Sequence, residues 1–318
     1  MNRIHKLPIG SWTSQLYQGE QDLLQMQDML MEARSLTDDW HYPHIGDLAF
    51  WFLMVVAHLR PQEFIRLWHD EKGKLIGYAI LGEDPSFDCQ VLPEYEWCGI
   101  EEEALAWAET RLVELCKQDA DQWGGNLVSG ARQDNPKRIL FLEQHGFQIG
   151  GEFSEVNMIC SLRGSLPEVI VPDGCQVRAL AAEGELSNRA AAHRQVWQPW
   201  TVGNVSDEDY ATFMRLPGYD RGLDVVAVAA DGVIAAYVNG WIDPLNRIGD
   251  FGPVGARSEY RRRGLSRAVL LECMQRMQRR GVDRVSVSTG VTNEPALRLY
   301  ESVGFRVVNK YLEYAKKA

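Results

Sequence analysis

The sequence predicts an α/β (α+β) protein made of two tandem units of one design, and three observations lead there. The order hairpin, strand, turn, helix occurs twice along the chain. Asn135 to Gly146-Phe147 lies over Asn293 to Gly304-Phe305 at the same spacing, and Pro93-Glu-Tyr-Glu-Trp-Cys-Gly-Ile100 lies over Ser258-Glu-Tyr-Arg-Arg-Arg-Gly-Leu265. Between the copies, Arg163-Gly-Ser-Leu-Pro-Glu-Val-Ile-Val-Pro-Asp-Gly174 is rich in Pro and Gly and has no sustained period, as a linker does. The chain of 318 residues, longer than most single cores, therefore divides into 1–162, a linker 163–174, and 175–318.

In the first unit, Leu23, Met26, Leu30 and Ala33 repeat on one side of a surface helix over Leu23 to Leu36, and Gly46 to Met54 reads as apolar core. Two strands flank a turn at Asp70 to Gly73, another strand covers Phe87 to Leu92, and a helix covers Ile100 to Lys117. A short strand at Leu127 to Ser129 and a helix from Pro136 to Gln144 complete it. The second unit opens with a strand at Gln176 to Leu180 and helices over Leu186 to Val196 and Asp207 to Leu216. Asp231-Gly232 turns a hairpin between Asp224 to Ala230 and Val233 to Trp241. A strand, a basic turn and a long helix follow, with Leu265, Val269, Cys273 and Met277 every four residues and Arg279-Arg280-Gly281 as the stop. Arg284 to Thr289 is a strand. Thr292 or Asn293 caps a short helix with Pro295 in its first turn, and Phe305 to Tyr314 alternates as the last strand.

Composition narrows the function. Residues 1–160 carry 12 Lys+Arg against 26 Asp+Glu, whereas 161–318 carry 21 against 18. The first half repels phosphate-rich partners, the second can hold one locally, and neither suits nucleic acid. The six cysteines show no C-x-x-C pairing and read as buried thiols of a reducing compartment. His41 and His44 lack a further ligand at metal spacing, so a packing or loop role is expected and no metal. With no leader and no apolar run able to span a bilayer of about 30 Å, the expectation is a cytoplasmic protein without membrane contact.

Arg261, Arg262 and Arg263 followed by Gly264 put positive charge and uncluttered backbone at a helix start, where free N–H groups and the helix dipole favour an anion. Such a turn is either a pyrophosphate loop or an ordinary solvated basic turn. The repeat separates the halves: the same positions hold Glu96, Trp97 and Cys98, Ser266 corresponds to Glu101, and Tyr300 to Leu142. Glutamates Glu101 to Glu103 satisfy the dipole themselves and repel an approaching anion.

Arg261-Arg-Arg-Gly264-Leu-Ser266 and Asn293-Glu-Pro-Ala-Leu-Arg-Leu-Tyr300-Glu-Ser-Val-Gly-Phe305 together resemble the acetyl-CoA loop and the Asn…Leu-Tyr…Gly-Phe signature of the GCN5-related N-acetyltransferase (GNAT) superfamily. The resemblance covers about 175–318 directly and 40–160 only through the repeat. It implies two tandem GNAT-like domains, each a mixed central sheet flanked by helices, whose fourth and fifth strands splay to admit acetyl-CoA. The first would be degenerate and without acetyl-CoA. In the second, the resemblance assigns Arg261, Arg262, Arg263, Gly264, Leu265, Ser266 and Arg267 to the pyrophosphate and backbone near Val254, Gly255 and Ala256 to the pantetheine arm. Asn293 is assigned to the cofactor or to capping its helix.

Tyr300 falls where the family has its general acid for the leaving thiolate; it is otherwise a core tyrosine. A base must deprotonate the attacking amine. Asp250 is the candidate, four positions before Val254 and so expected on the same strand face; a plain strand-start aspartate is the alternative. Many relatives have Glu where Gly252 stands, which leaves Asp243 or a water chain as further options. The expected function is acetyl transfer to a primary amine of a small molecule. A non-catalytic acyl-CoA sensor, supported by Gly252, and a protein or peptide N-acetyltransferase are the alternatives. Neither the acceptor nor the oligomeric state is readable.

Overall fold

A computed structural model describes residues 11–317 apart from 38–40, 59, 83–84 and 182. The reading that no leader opens the chain falls on residues outside that set. The first half runs β1 (Trp12–Leu16), α1 (Glu20–Leu36), α2 (Ile45–His58), one-turn α3 (Pro61–Phe64), β2 (Ile65–Asp70), β3 (Leu75–Gly82), β4 (Ser86–Val91), α4 (Ile100–Gln118), one-turn α5 (Ala120–Trp123), β5 (Asn126–Arg132), α6 (Pro136–Gln144) and β6 (Gln148–Ser161). The second runs β7 (Cys175–Ala179), α7 (Leu186–Trp197), α8 (Asp207–Phe213), β8 (Asp224–Ala229), β9 (Ile234–Asp243), β10 (Ile248–Ala256), α9 (Leu265–Arg279), β11 (Arg284–Gly290), α10 (Glu294–Ser302) and β12 (Arg306–Lys317).

All twelve strands join one mixed sheet in the order β1-β2-β3-β4-β5-β12-β6-β11-β10-β9-β8-β7. Read from either edge the order is the same repeat, with one exception at the middle. The last strands are exchanged: β12 pairs antiparallel with β5, and β6 pairs antiparallel with β11. β6 and β12 also pair with one another across the centre, so backbone hydrogen bonds run without a break from one half to the other.

The four-residue stripe of α9 is buried as its period requires: Leu265, Val269, Cys273 and Met277 are at most 1% exposed and pack with Val225, Ala236 and Val238 of the sheet. Each such burial stabilises by about 1.5–3 kcal/mol. The apolar run after Gly46 becomes α2, and it serves two cores. Ile45, Leu48 and Phe52 pack in the first half, while Ala49 and Leu53 pack with Ala190, Tyr210, Phe213 and Trp241 of the second. A helix buried on two sides has no polar face, which is why this stretch is apolar nearly throughout. Gly46 makes the contact possible, since a Cβ there would meet Trp241 at 2.8 Å.

All six cysteines are free. Among the described residues no helix is long and apolar enough to cross a membrane, and no group of His, Cys, Asp and Glu could hold a metal. His44 is buried, and its Nδ1 accepts from Gly46 N at 3.0 Å.

Candidate active site

β10 and β11 run parallel and pair at Ile248 with Arg284, Gly249 with Val285 and Asp250 with Ser286, then part. One extra residue in β10 shifts its register on β9 between Phe251 and Val254. This bulge contains Gly252, whose carbonyl accepts from Trp241 Nε1 at 2.8 Å, and Pro253. Strand alternation is interrupted there, so the expectation that Asp250 and Val254 share a face does not hold across it. Beyond the bulge Val254, Gly255 and Ala256 pair with Val238, Tyr237 and Ala236 of β9, leaving their other edge toward the split.

The basic turn continues from that strand. Arg262 has φ 61° and Gly264 φ 82°, a left-handed conformation for which glycine carries no Cβ penalty. Left-handed residues two apart turn successive N–H groups to one side. Gly264 is the N-cap of α9 and offers no side chain to it. From Arg262 to Arg267 no backbone N–H finds a protein acceptor among the described residues; the first bond of the helix is Ala268 N to Gly264 O, 3.0 Å. The three arginines are exposed. Arg261 Nε donates to Ala256 O (3.2 Å), and the Arg263 guanidinium lies 5.5 Å from the Tyr260 ring centre. Open donors, fixed geometry and cationic rims fit a pyrophosphate.

The split opens into a cavity of about 930 Å³ shared by both halves. Asp250, Val254, Asn293 and Tyr300 line it, as do Asp47, Trp51, Glu101, Arg138, Glu155 and Trp197. Asp250 is 4% exposed, and its Oδ1 accepts from Ser286 Oγ at 2.6 Å. Burial first, then the charge of Asp47, push its carboxyl well above the usual carboxylate range. A Cβ on Gly252 would stand 3.8 Å from Asp250 Oδ2 and would meet nothing else within 4 Å. The Asp250 carboxylate thus stands beside the open space a side chain at 252 would enter. Tyr300 is buried on α10 with its ring against Phe305, and its hydroxyl has no protein partner among the described residues. Burial, then the Asp250 charge, raise its pKa, so it holds its proton. Asn293 Oδ1 caps α10 through Ala296 N (3.4 Å). Asp243 is committed to its own turn, accepting from Asn246 N (3.0 Å) and Nδ2 (2.6 Å), and does not line the cavity.

The first half repeats the backbone and fills the site. β4 and β5 pair only at Ser86 and Val128 before parting. Trp97 has φ 61°, the value of its counterpart Arg262, and Gly99 is again left-handed at φ 121°. Here Glu101 Oε1 accepts from Trp97 N at 2.8 Å, so a carboxylate of the protein takes the donor an anion would use. An arginine reaches into the split as well, while both of its strands still line the cavity. Arg138, at the position of Ala296, donates to Ser129 Oγ (3.1 Å) and Cys89 O (3.4 Å) and lies 3.7 Å from the Asp88 carboxylate.

Sequence reasoning did not single out Asp47, Glu155, Ser286 or Arg138. His44 N donates to Asp47 Oδ2 (2.7 Å), and this three-residue capping spacing was the visible signal at Asp47. Nothing in sequence tied it to a strand two hundred residues away.

A family model described as acetyltransferase (GNAT) family matches residues 190–305. The mycothiol acetyltransferase of Thermomonospora curvata is 30% identical over 44% of this chain and 47% of its own length, so the match spans about half of that protein. That of Acidothermus cellulolyticus is 25% identical over 79% of this chain and 81% of its own. A solved tandem GNAT protein from the clavulanic acid biosynthesis pathway superposes with a TM-score of 0.64 at 15% identity, over 96% of this chain and 98% of that one. The strand split, the anion loop, the signature on α10 and these likenesses agree: residues 190–305 match the GNAT acetyltransferase family, and the chain carries two GNAT folds in tandem.

Proposed function

We propose that the protein is an acetyl-CoA-dependent N-acetyltransferase acting on a primary amine of a small molecule. The observation that carries this reading is the strand split beside the uncapped α9 N-terminus, opening on one cavity with Asp250 and Tyr300. Residues 175–318 form the catalytic unit, 163–174 the linker, and 1–162 a copy without acetyl-CoA. Acetyl-CoA, as substrate, brings its acetyl group activated as a thioester. The N–H groups from Arg262 to Arg267 hold its pyrophosphate, with Arg261 and Arg263 neutralising charge at the rim. The free edge of Val254 to Ala256 aligns the pantetheine arm, and Asn293 fixes the start of α10 so that Tyr300 stays at the split. Asp250 takes the proton of the attacking amine, and the Tyr300 hydroxyl protonates the departing thiolate.

Gly252 is no argument for lost chemistry, because the Asp250 carboxylate occupies the neighbouring space. A concave cavity of about 930 Å³ walled by both halves is of the size that takes a small acceptor. The relatives from Thermomonospora curvata and Acidothermus cellulolyticus, each named mycothiol acetyltransferase, support the same direction. The test combines thermal shift with acetyl-CoA and thiol release over a panel of amines, with mass spectrometry of the product. Stabilisation with amine-dependent release is expected. Stabilisation without release from any amine favours the sensor instead.

A further inference from the structure

We infer that Asp47, a residue of the half without acetyl-CoA, pairs with Asp250 across the cavity to receive the acceptor amine as its ammonium ion. The inference rests on the acetyltransferase reading and names the form in which the acceptor binds. Its ground is geometric. Asp47 sits in the first turn of α2 with Oδ2 held by His44 N (2.7 Å), while its other oxygen has no protein donor among the described residues and the side chain is open to the cavity. That turn is docked on β10 itself. His44 Nδ1 accepts from Gly46 N (3.0 Å), so Nε2 carries the proton and faces Ile248 O at 3.3 Å, two residues before Asp250. Gly46 lies against Trp241, which in turn donates to Gly252 O. Two carboxylates from different halves are therefore fixed to one strand.

The groups around them neutralise the pair only in part. Burial drives His44 down to about 3, so it is uncharged. Arg34 on α1 lies near both carboxylates, but it also donates to Tyr42 O (2.6 Å) and lies 3.9 Å from Asp243. Glu155 of β6 adds a third carboxylate, and Tyr300, Tyr78 and Tyr311 hold their protons. Burial raises Asp47, and burial together with Asp47 raises Asp250. The cavity lining carries more carboxyls than cations. An arriving ammonium supplies positive charge there, and anionic acceptors are disfavoured. One N–H bond of the ammonium then breaks as Asp250 gains the proton. The freed amine forms the C–N bond as the C–S bond of the thioester breaks, the thiolate takes the Tyr300 proton, and the second N–H proton, shed as the amide forms, restores the Tyr300 hydroxyl. Asp47 acts through Asp250 and is a positioning residue.

The coupling is measured without any acceptor, by carboxyl-carbon NMR titration of Asp250 in the full chain, assigned with Asp250→Asn. In Asp47→Asn the Asp250 midpoint should fall by about one pH unit or more, and Asp47→Glu should restore it. Asp47→Ser keeps a capping oxygen without charge and should give the same fall if Asp47→Asn does not fold. An unmoved midpoint in a folded variant overturns the inference. This readout is independent of turnover, so a wild type that acetylates no amine in the panel sinks the acetyltransferase reading while leaving the coupling result legible. With an acceptor in hand, the acid limb of kcat/KM should move to lower pH in Asp47→Asn. Its KM for the amine should rise about tenfold, with that for acetyl-CoA unchanged; equal loss for both substrates would overturn it.

Discussion

The turns before α4 and α9 are backbone copies with opposite electrostatics. Trp97 and Arg262 share a φ of 61°, and each is followed two residues later by a left-handed glycine. In the first half Glu101 turns back onto Trp97 N; in the second the equivalent residue is Ser266 and six consecutive N–H groups stay open. The strand splits behind them both line the cavity but differ in the same sense, one carrying the cationic Arg138 and the other the small Ala296. The comparison teaches that loop shape alone is not an anion site. Duplication preserved the shape through its glycines, whereas a single side chain per turn and per split decides whether a ligand can enter.

Several substitutions would break or sharpen this contrast. The largest effect is expected for Tyr300→Phe, with kcat lower by about 10²–10⁴-fold and acetyl-CoA affinity nearly unchanged, by stopped assay and calorimetry. Leu142→Tyr in the silent half should alter neither. Next, Ser266→Glu gives the second turn the carboxylate of the first and should weaken acetyl-CoA by about 100-fold, near 2.7 kcal/mol. Wild-type affinity in that variant would mean the pyrophosphate lies elsewhere. Ala296→Arg carries the bulk of Arg138 across and should weaken binding by about tenfold.

The smallest effect concerns stability. Burial raises the Glu101 carboxyl from 4.5 to about 7, so the folded chain keeps this proton at pH values where the unfolded chain has lost it. The contribution is complete below about pH 4.5 and is lost as pH rises through 7. Glu101→Gln retains the acceptor for Trp97 N and should stabilise by on the order of 1–2 kcal/mol at pH 8 but little at pH 4, in denaturant titrations. Ser266 confers no such dependence on the other turn.

Much of this was legible in the sequence because local rules and global fold agree. Asn135 and Asn293 mark helix starts that the caps reproduce, and the stripe of α9 is buried as its period requires. β6 was not read, although Val156, Met158 and Cys160 alternate inward; Gly150-Gly151 interrupts the pattern before it is established. β1 was too short to register against its polar surroundings. The partners of β6 and β12 could not be read at all, since alternation specifies a face and not a neighbour. The cofactor loop and Tyr300 are local motifs and therefore visible. Asp47 and Arg138 act by position in three dimensions, and their residue types alone say nothing.

The exchanged strands have a consequence for how the chain holds together. A cut in 163–174 would not release two independent proteins, because each piece would carry the strand that completes the other. Such fragments should be captured only by one another, with an assembly rate that scales with concentration. The intact linker replaces that second-order encounter with an intramolecular one at millimolar effective concentration. In this sense the protein is a two-fold dimer written on a single chain. Each half furnishes a central strand to the other, so neither half of the sheet is complete without the other half's last strand.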